Sequence, residues 1–140
     1  YMGTWYELVR IDHSFEKDLT QVSASYSLND DGSVAVLNRG FDSIKQKWRE
    51  AEGKARFLGS SDVAALKVSF FGPFYGGYNV VSLDEDYQTS LVIGSSMDYF
   101  WLLSRNKTIP EQQFNLLLQK AKTLGVDLSR VTKVPQSNQP

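Results

Sequence analysis

Apolar and polar side chains alternate with a period of two along most of the chain up to Arg105, and beyond it the period lengthens to that of a helix. Period two marks a half-buried strand, because successive side chains leave opposite faces of the pleat. Gln21–Asn29 places Val22, Ala24, Tyr26 and Leu28 on one face and Ser23, Ser25 and Ser27 on the other. Asp30-Asp31-Gly32 follows as a tight turn in which Gly32 supplies a positive φ. Ser33–Phe41 returns with Val34, Val36, Asn38 and Gly40 on one side. Sidedness is cleanest in Lys47–Leu58, where Ala51, Gly53, Ala55 and Phe57 oppose Glu50, Glu52, Lys54 and Arg56. Together with the opening run Tyr1–Asp12, Ala64–Phe71, Tyr78–Leu83, Gln88–Ile93 and Asp98–Arg105, the pattern predicts eight strands in antiparallel succession.

Thr108-Ile109-Pro110-Glu111 has the form of a capping box with proline in the first turn, and Phe114, Leu117, Leu118, Ala121 and Leu124 follow at helical spacing before Gly125. The expectation is one amphipathic helix over about residues 109–124, packed through that face, then a short strand over about 130–134 and a polar tail without order signals.

Eight up-and-down strands favour closure, since an open meander would leave two long edges unpaired. The predicted fold is therefore all-β: an eight-stranded antiparallel up-and-down β-barrel, or calyx, over about residues 3–105, with one C-terminal α-helix on its outside and residues 1–140 forming a single domain. Trp5 begins the first strand, where an inward indole plugs one end, and Gly3 lets the chain turn in beneath it. That end, the floor, receives the short turns 29–32, 59–62 and 84–87; the rim receives the longer, more aromatic connections 13–19, 42–46, 72–77 and 94–97.

Composition narrows the function. A net charge of −1 carries no nucleic-acid footprint, and without cysteine there is no disulfide, thiol nucleophile or thiolate metal site. His13 is the only histidine, so no triad can use a second one. The pairs Asp30/Asp31 and Asp84/Asp86 fall in turns, where aspartate accepts local N–H groups, and Glu50/Glu52 lies on an outer strand face; none has metal-ligand spacing. No metal and no cofactor is expected. The chain starts two residues before Gly3, and an anchoring or targeting segment ahead of Tyr1 is expected.

Three stretches then resemble, in order, the signature regions of the lipocalins: Gly3-Thr4-Trp5-Tyr6, Asp84-Glu85-Asp86-Tyr87 before a strand, and Leu103-Ser104-Arg105 ahead of the helix. The run Lys67–Val80, with Gly72-Pro73-Phe74-Tyr75-Gly76-Gly77 at its centre, is similar to the bacterial outer-membrane lipocalins of the Blc type and to apolipoprotein D. The resemblance implies structural roles for Gly3, Trp5, Asp86, Tyr87 and Arg105, with Arg105 stacked on Trp5, a contact worth ~1–2 kcal/mol when partly desolvated. It also implies an outer-membrane location facing the periplasm, through a lipid anchor that this chain does not contain, and a calyx for fatty acids or lysophospholipids.

With Arg105 inward, parity puts Leu103, Trp101 and Tyr99 inward, and likewise Tyr78, Val80, Ser82, Leu91 and Ile93. The candidate ligand-binding set is Phe15, Tyr26, Val36, Asn38, Phe57, Val68, Phe70, Phe74, Tyr78, Val80, Tyr99 and Trp101. Of these, Tyr26, Asn38, Tyr78, Tyr99 and Trp101 are expected near the mouth, with Phe15 and Phe74 overhanging it. Small residues among the large ones (Ala24, Gly40, Ala51, Gly53, Ala55) favour a cavity over a solid interior. The aromatic loop Phe71–Tyr75 suits a lid, a homodimer contact or a membrane-touching tip, with the lid favoured first and self-association second. The leading expectation is a carrier of fatty acids, lysophospholipids or similar amphiphiles without chemistry. The competing one is an enzyme on the same scaffold, isomerase-like, disfavoured because such lipocalins use a cysteine.

Overall fold

The computed structural model describes residues 2–11, 19–57, 65–69, 76–83, 88–94 and 99–136, with backbone alone for 56–57, 65–69, 76–78 and 81–82. Eight strands run in chain order: β1 (Gly3–Ile11), β2 (Leu19–Leu28), β3 (Val34–Asp42), β4 (Lys47–Phe57), β5 (Ala65–Ser69), β6 (Gly76–Leu83), β7 (Thr89–Ile93) and β8 (Phe100–Ser104). Each pairs antiparallel with the next, and β1 pairs with both β8 and β2, so the sheet closes on itself. The barrel expected from the alternation is the fold observed.

The β2–β3 turn forms where Gly32 takes a φ of 85° and Asp31 Oδ1 accepts from the Ser33 amide and hydroxyl at 3.0 and 2.5 Å. Those two donors, hydroxyl first, with Lys54 Nζ at 3.4 Å from the other oxygen, hold the Asp31 carboxyl far below the ordinary carboxylate range. At the opposite end, Asp42 Oδ1 accepts from the amides of Lys45 and Ile44, both at 3.0 Å, and pins the β3–β4 turn. The Lys45 amide is the main cause of its lowered pKa, followed by the Ile44 amide and the Arg49 charge.

Helix α1 (Glu111–Thr123) lies across the outer face of β7, β8 and β1. Phe114, Leu117, Leu118 and Ala121 pack there with Val9, Ile11, Leu91, Ile93, Phe100 and Leu102. Its C-terminus closes as a Schellman motif: the Gly125 amide donates to the Lys122 carbonyl and the Val126 amide to the Ala121 carbonyl, with Gly125 at a φ of 107°. Two expectations for this helix fail. No capping box forms, because Pro110 keeps an extended ψ of 140° and itself occupies the N-cap, so no side chain closes the first turn. Leu124, the C-cap, turns away from the packing face and is 39% exposed.

A short strand, β9 (Val131–Lys133), continues the sheet beside the upper half of β1, where β1 and β2 have diverged. Pro135 and Gln136 after it are tied down, although the sequence carries no order signal there. Gln21 donates its amide to the Pro135 carbonyl at 2.7 Å, and Gln136 Nε2 bridges the carbonyls of Glu7 (2.7 Å) and Val22 (2.9 Å).

Candidate functional site

The floor of the barrel is built around Trp5. Its indole is fully buried and packs with Val92 and Leu103, with Tyr26, Val80, Leu83 and Trp101 around that group. The Arg105 guanidinium lies 3.9 Å from the Trp5 ring centroid and donates from Nη1 to the Thr4 carbonyl at 3.1 Å. Gly3 lies beneath it at a φ of 101°, and a Cβ there would stand 3.1 Å from Arg105 Nη1. Glycine thus meets both a backbone and a space requirement at this point.

Register assigns the rest of the inner wall. Tyr26 pairs with Gly3 and Val36, Ala24 with Trp5 and Asn38, and Asn38 with Ala51. Val34, Val36 and Ala55 form a buried group against which Tyr26 also packs. Tyr26 therefore stands near the floor, not at the mouth as expected: β2 descends from rim to floor, so its last residues lie opposite the first of β1. Tyr99 and Trp101 stack with ring centroids 6.5 Å apart, on the ascending side of β1, where Trp101 pairs with Arg10. Val80 pairs with Val92.

Leu91 and Ile93, expected inward, face out beneath α1 instead. The regular β7–β8 register pairs Val92 with Trp101, which puts Val92 inward and Leu91 and Ile93 outward, while two bulges shift parity elsewhere. Between Val80 and Ser82 the register with β7 slips by one residue, so that Leu83 joins the inner group in place of the position two after Val80. In β1 the slip falls between Glu7 and Val9, which turns Val9 and Ile11 outward and brings Arg10 to the inner face together with Glu7. The two charged side chains are 5% and 7% exposed, with Arg10 Nη1 3.4 Å from Glu7 Oε1 and Nη2 donating to the Leu19 carbonyl at 3.0 Å. This buried pair was not among the expected site residues: Glu7 shares the inner face with Trp5 by simple alternation, and the bulge after it, invisible to alternation, brings Arg10 to the same face.

Of the other expected positions, Phe57, Val68 and Tyr78 are described by backbone pairing alone: Phe57 and Tyr78 both oppose Leu66, and Val68 opposes Ala55 and Gly76. Phe15, Phe70, Phe74, Asp86 and Tyr87 lie outside the described residues, as do His13 and the Phe71–Tyr75 loop. Among the described residues no three His, Asp or Glu side chains converge as a metal site. One hollow of about 420 Å³ is lined by residues of both faces of β2–β4, Tyr26, Val36 and Gly53 as well as Ser25, Leu37 and Glu52, and another of about 510 Å³ lies between α1 and β9.

The description of a lipocalin-like domain matches residues 1–136. Over 136 residues the chain is 50% identical to the outer membrane lipoprotein Blc of Escherichia coli (strain K12), covering 97% of this chain and 77% of that one. It is 31% identical to apolipoprotein D of Mus musculus, over 100% of this chain and 77% of the relative. Among solved structures, the cockroach allergen Per a 4 superposes with a TM-score of 0.76 at 22% identity, covering 98% of this chain and 86% of that one, a likeness of fold.

Proposed function

The chain belongs to the lipocalin-like family, and from that premise we propose that it binds and carries fatty acids, lysophospholipids or similar amphiphiles inside the barrel, tail toward Trp5 and headgroup toward the rim. The observation that carries this reading is the inner wall. Its floor is apolar and stoppered by Trp5 under Arg105, while Ala24, Ala51 and Gly53 stand where larger side chains would fill the middle. Burying a chain of about sixteen carbons is worth roughly 12 kcal/mol gross at ~0.8 per methylene, and ordering costs reduce this to about micromolar affinity. Several chain lengths bind, since apolar burial separates neighbouring homologues only weakly.

The name shared by its bacterial relatives supports residence at the outer membrane, and a periplasm-facing position follows for a carrier of membrane lipid. One domain carries the activity, with Tyr26, Val36, Asn38, Val80, Tyr99 and Trp101 lining the ligand and the aromatic stretch Phe71–Tyr75 serving as lid or dimer contact. A carrier is favoured over an enzyme because the chain has no cysteine for isomerase chemistry and a single histidine. Titration with a lysophospholipid or fatty acid tests the reading: tryptophan emission should change saturably at micromolar ligand, and emission unmoved in folded protein contradicts it.

A further inference from the structure

The hairpin joining β3 to β4 projects from the rim, at the pole opposite Gly3, and carries a surface that the carrier function does not use. Ile44 at its tip is 72% exposed, and Trp48, on the outer face of β4, is 37% exposed. Trp48 is held in place: Phe41 meets it edge-on with centroids 5.4 Å apart, and the Arg39 guanidinium lies 3.9 Å from its ring centroid. Around them stand the cations Arg39, Lys45, Lys47 and Arg49, four against the carboxylates of Asp42 and Glu50, in a chain whose overall charge is −1. Asp42 Oδ2 lies 3.5 Å from Arg49 Nη1 and Glu50 is 3.6 Å from Arg39, so each carboxylate has an arginine partner and Lys45 and Lys47 supply the excess positive charge.

We propose that this hairpin docks the rim on an anionic phospholipid bilayer, with Ile44 and Trp48 entering the headgroup region and Lys45 and Lys47 meeting phosphate. The chemistry selects that partner. An aliphatic tip beside an indole matches the apolar–polar boundary of a bilayer, where tryptophan concentrates. Flexible lysines contribute attraction to anionic lipid without fixed geometry, and their stems lie along the same apolar layer. A protein partner of complementary shape would need a broader apolar area than two exposed side chains offer. The surface goes beyond the carrier reading and acts whether or not the barrel is filled.

Flotation of the chain with phosphatidylcholine vesicles, with and without phosphatidylglycerol, tests this. Binding is expected only with the anionic lipid, and high salt should weaken it about tenfold or more. Ile44→Ser with Trp48→Ser should weaken it by about tenfold or more, from the apolar area removed. Because Trp48→Ser also removes contacts with Phe41 and Arg39, the exposed pair Lys45→Glu with Lys47→Glu provides a second variant, expected to abolish flotation while leaving the thermal transition in place. Tyr99→Ala, directed at the cup, should lower fatty-acid uptake and leave flotation unchanged, which separates this inference from the carrier reading. Flotation equal for neutral and anionic vesicles, absent from both, or unaltered in either hairpin variant overturns it.

Discussion

The barrel wall has two halves. On the side formed by β7, β8 and β1 both faces are buried: Thr89–Ile93 is covered throughout, with Val92 inward against Trp5 and Leu91 and Ile93 outward under α1. On the side formed by β2, β3 and β4, one face looks inward and the other meets water, where Arg39 and Glu50 pair and Ser25 meets Thr4 at the exposed start of β1. The covered half is rigid scaffold that holds the floor, and the bare half is a single-layer wall with small inner residues. The difference explains how one sheet can be firmly anchored and still keep room inside.

The comparison is broken most severely by cutting into the covered half. Phe100→Ala, fully buried beneath α1, should destabilise by about 3–5 kcal/mol in urea unfolding, whereas Ser25→Ala on the bare half should stay within about 0.5 kcal/mol. Equal effects would mean that α1 does not anchor the wall. At the floor, Gly3→Ala meets an unfavourable φ and the Arg105 guanidinium together, for a loss of about 1–2 kcal/mol; Arg105→Met, which keeps much of the stem packing, should cost about as much through the lost ring contact and carbonyl bond. The seam between the halves is sharpened by Gln136→Ala. Losing its two bonds should cost about 1 kcal/mol and raise amide exchange at the upper ends of β1 and β2, leaving α1 protected.

Acid has the smallest effect and falls mainly on the bare half. Asp31, Asp42 and Asp127 have pKa values held below 3.8, Asp127 chiefly by the Ser129 hydroxyl and then its amide. Their contribution is complete above the ordinary carboxylate pKa and is lost as pH falls through the depressed folded values. Thermal melting should be flat from neutrality to near pH 4, about the ordinary carboxylate value, and decline below it; Asp31→Asn should flatten that decline.

How much of this was visible in the chain divides along the same line. The bare half was legible because its alternation is chemical: Ala51, Gly53 and Ala55 against Glu50, Glu52 and Lys54 can be assigned only one way. In the covered half both faces are apolar, so Leu91, Val92 and Ile93 carry no sign of which is inside; the pairing of Val92 with inward Trp101 decides it, and alternation within one strand does not show that pairing. A slip in β1 hid Arg10, while Glu7, inward by alternation from Trp5, carries a charge that argues for the outside. Gln136 was illegible for another reason: a polar residue in a polar tail gives no hint that its amide closes a distant seam. The floor, by contrast, was legible through the resemblance to the lipocalins, which implies Arg105 stacked on Trp5 beside Gly3, the contact observed.

The central claim, an amphiphile held tail-down above Trp5, is tested most directly with fatty acids carrying bromine at either end of the chain. Bromine near the terminal methyl should quench buried tryptophan emission saturably and strongly, with Trp5→Phe removing much of that quenching, while bromine beside the carboxylate should quench weakly. Equal quenching from both positions, or none from the tail position in protein that remains folded, would contradict it.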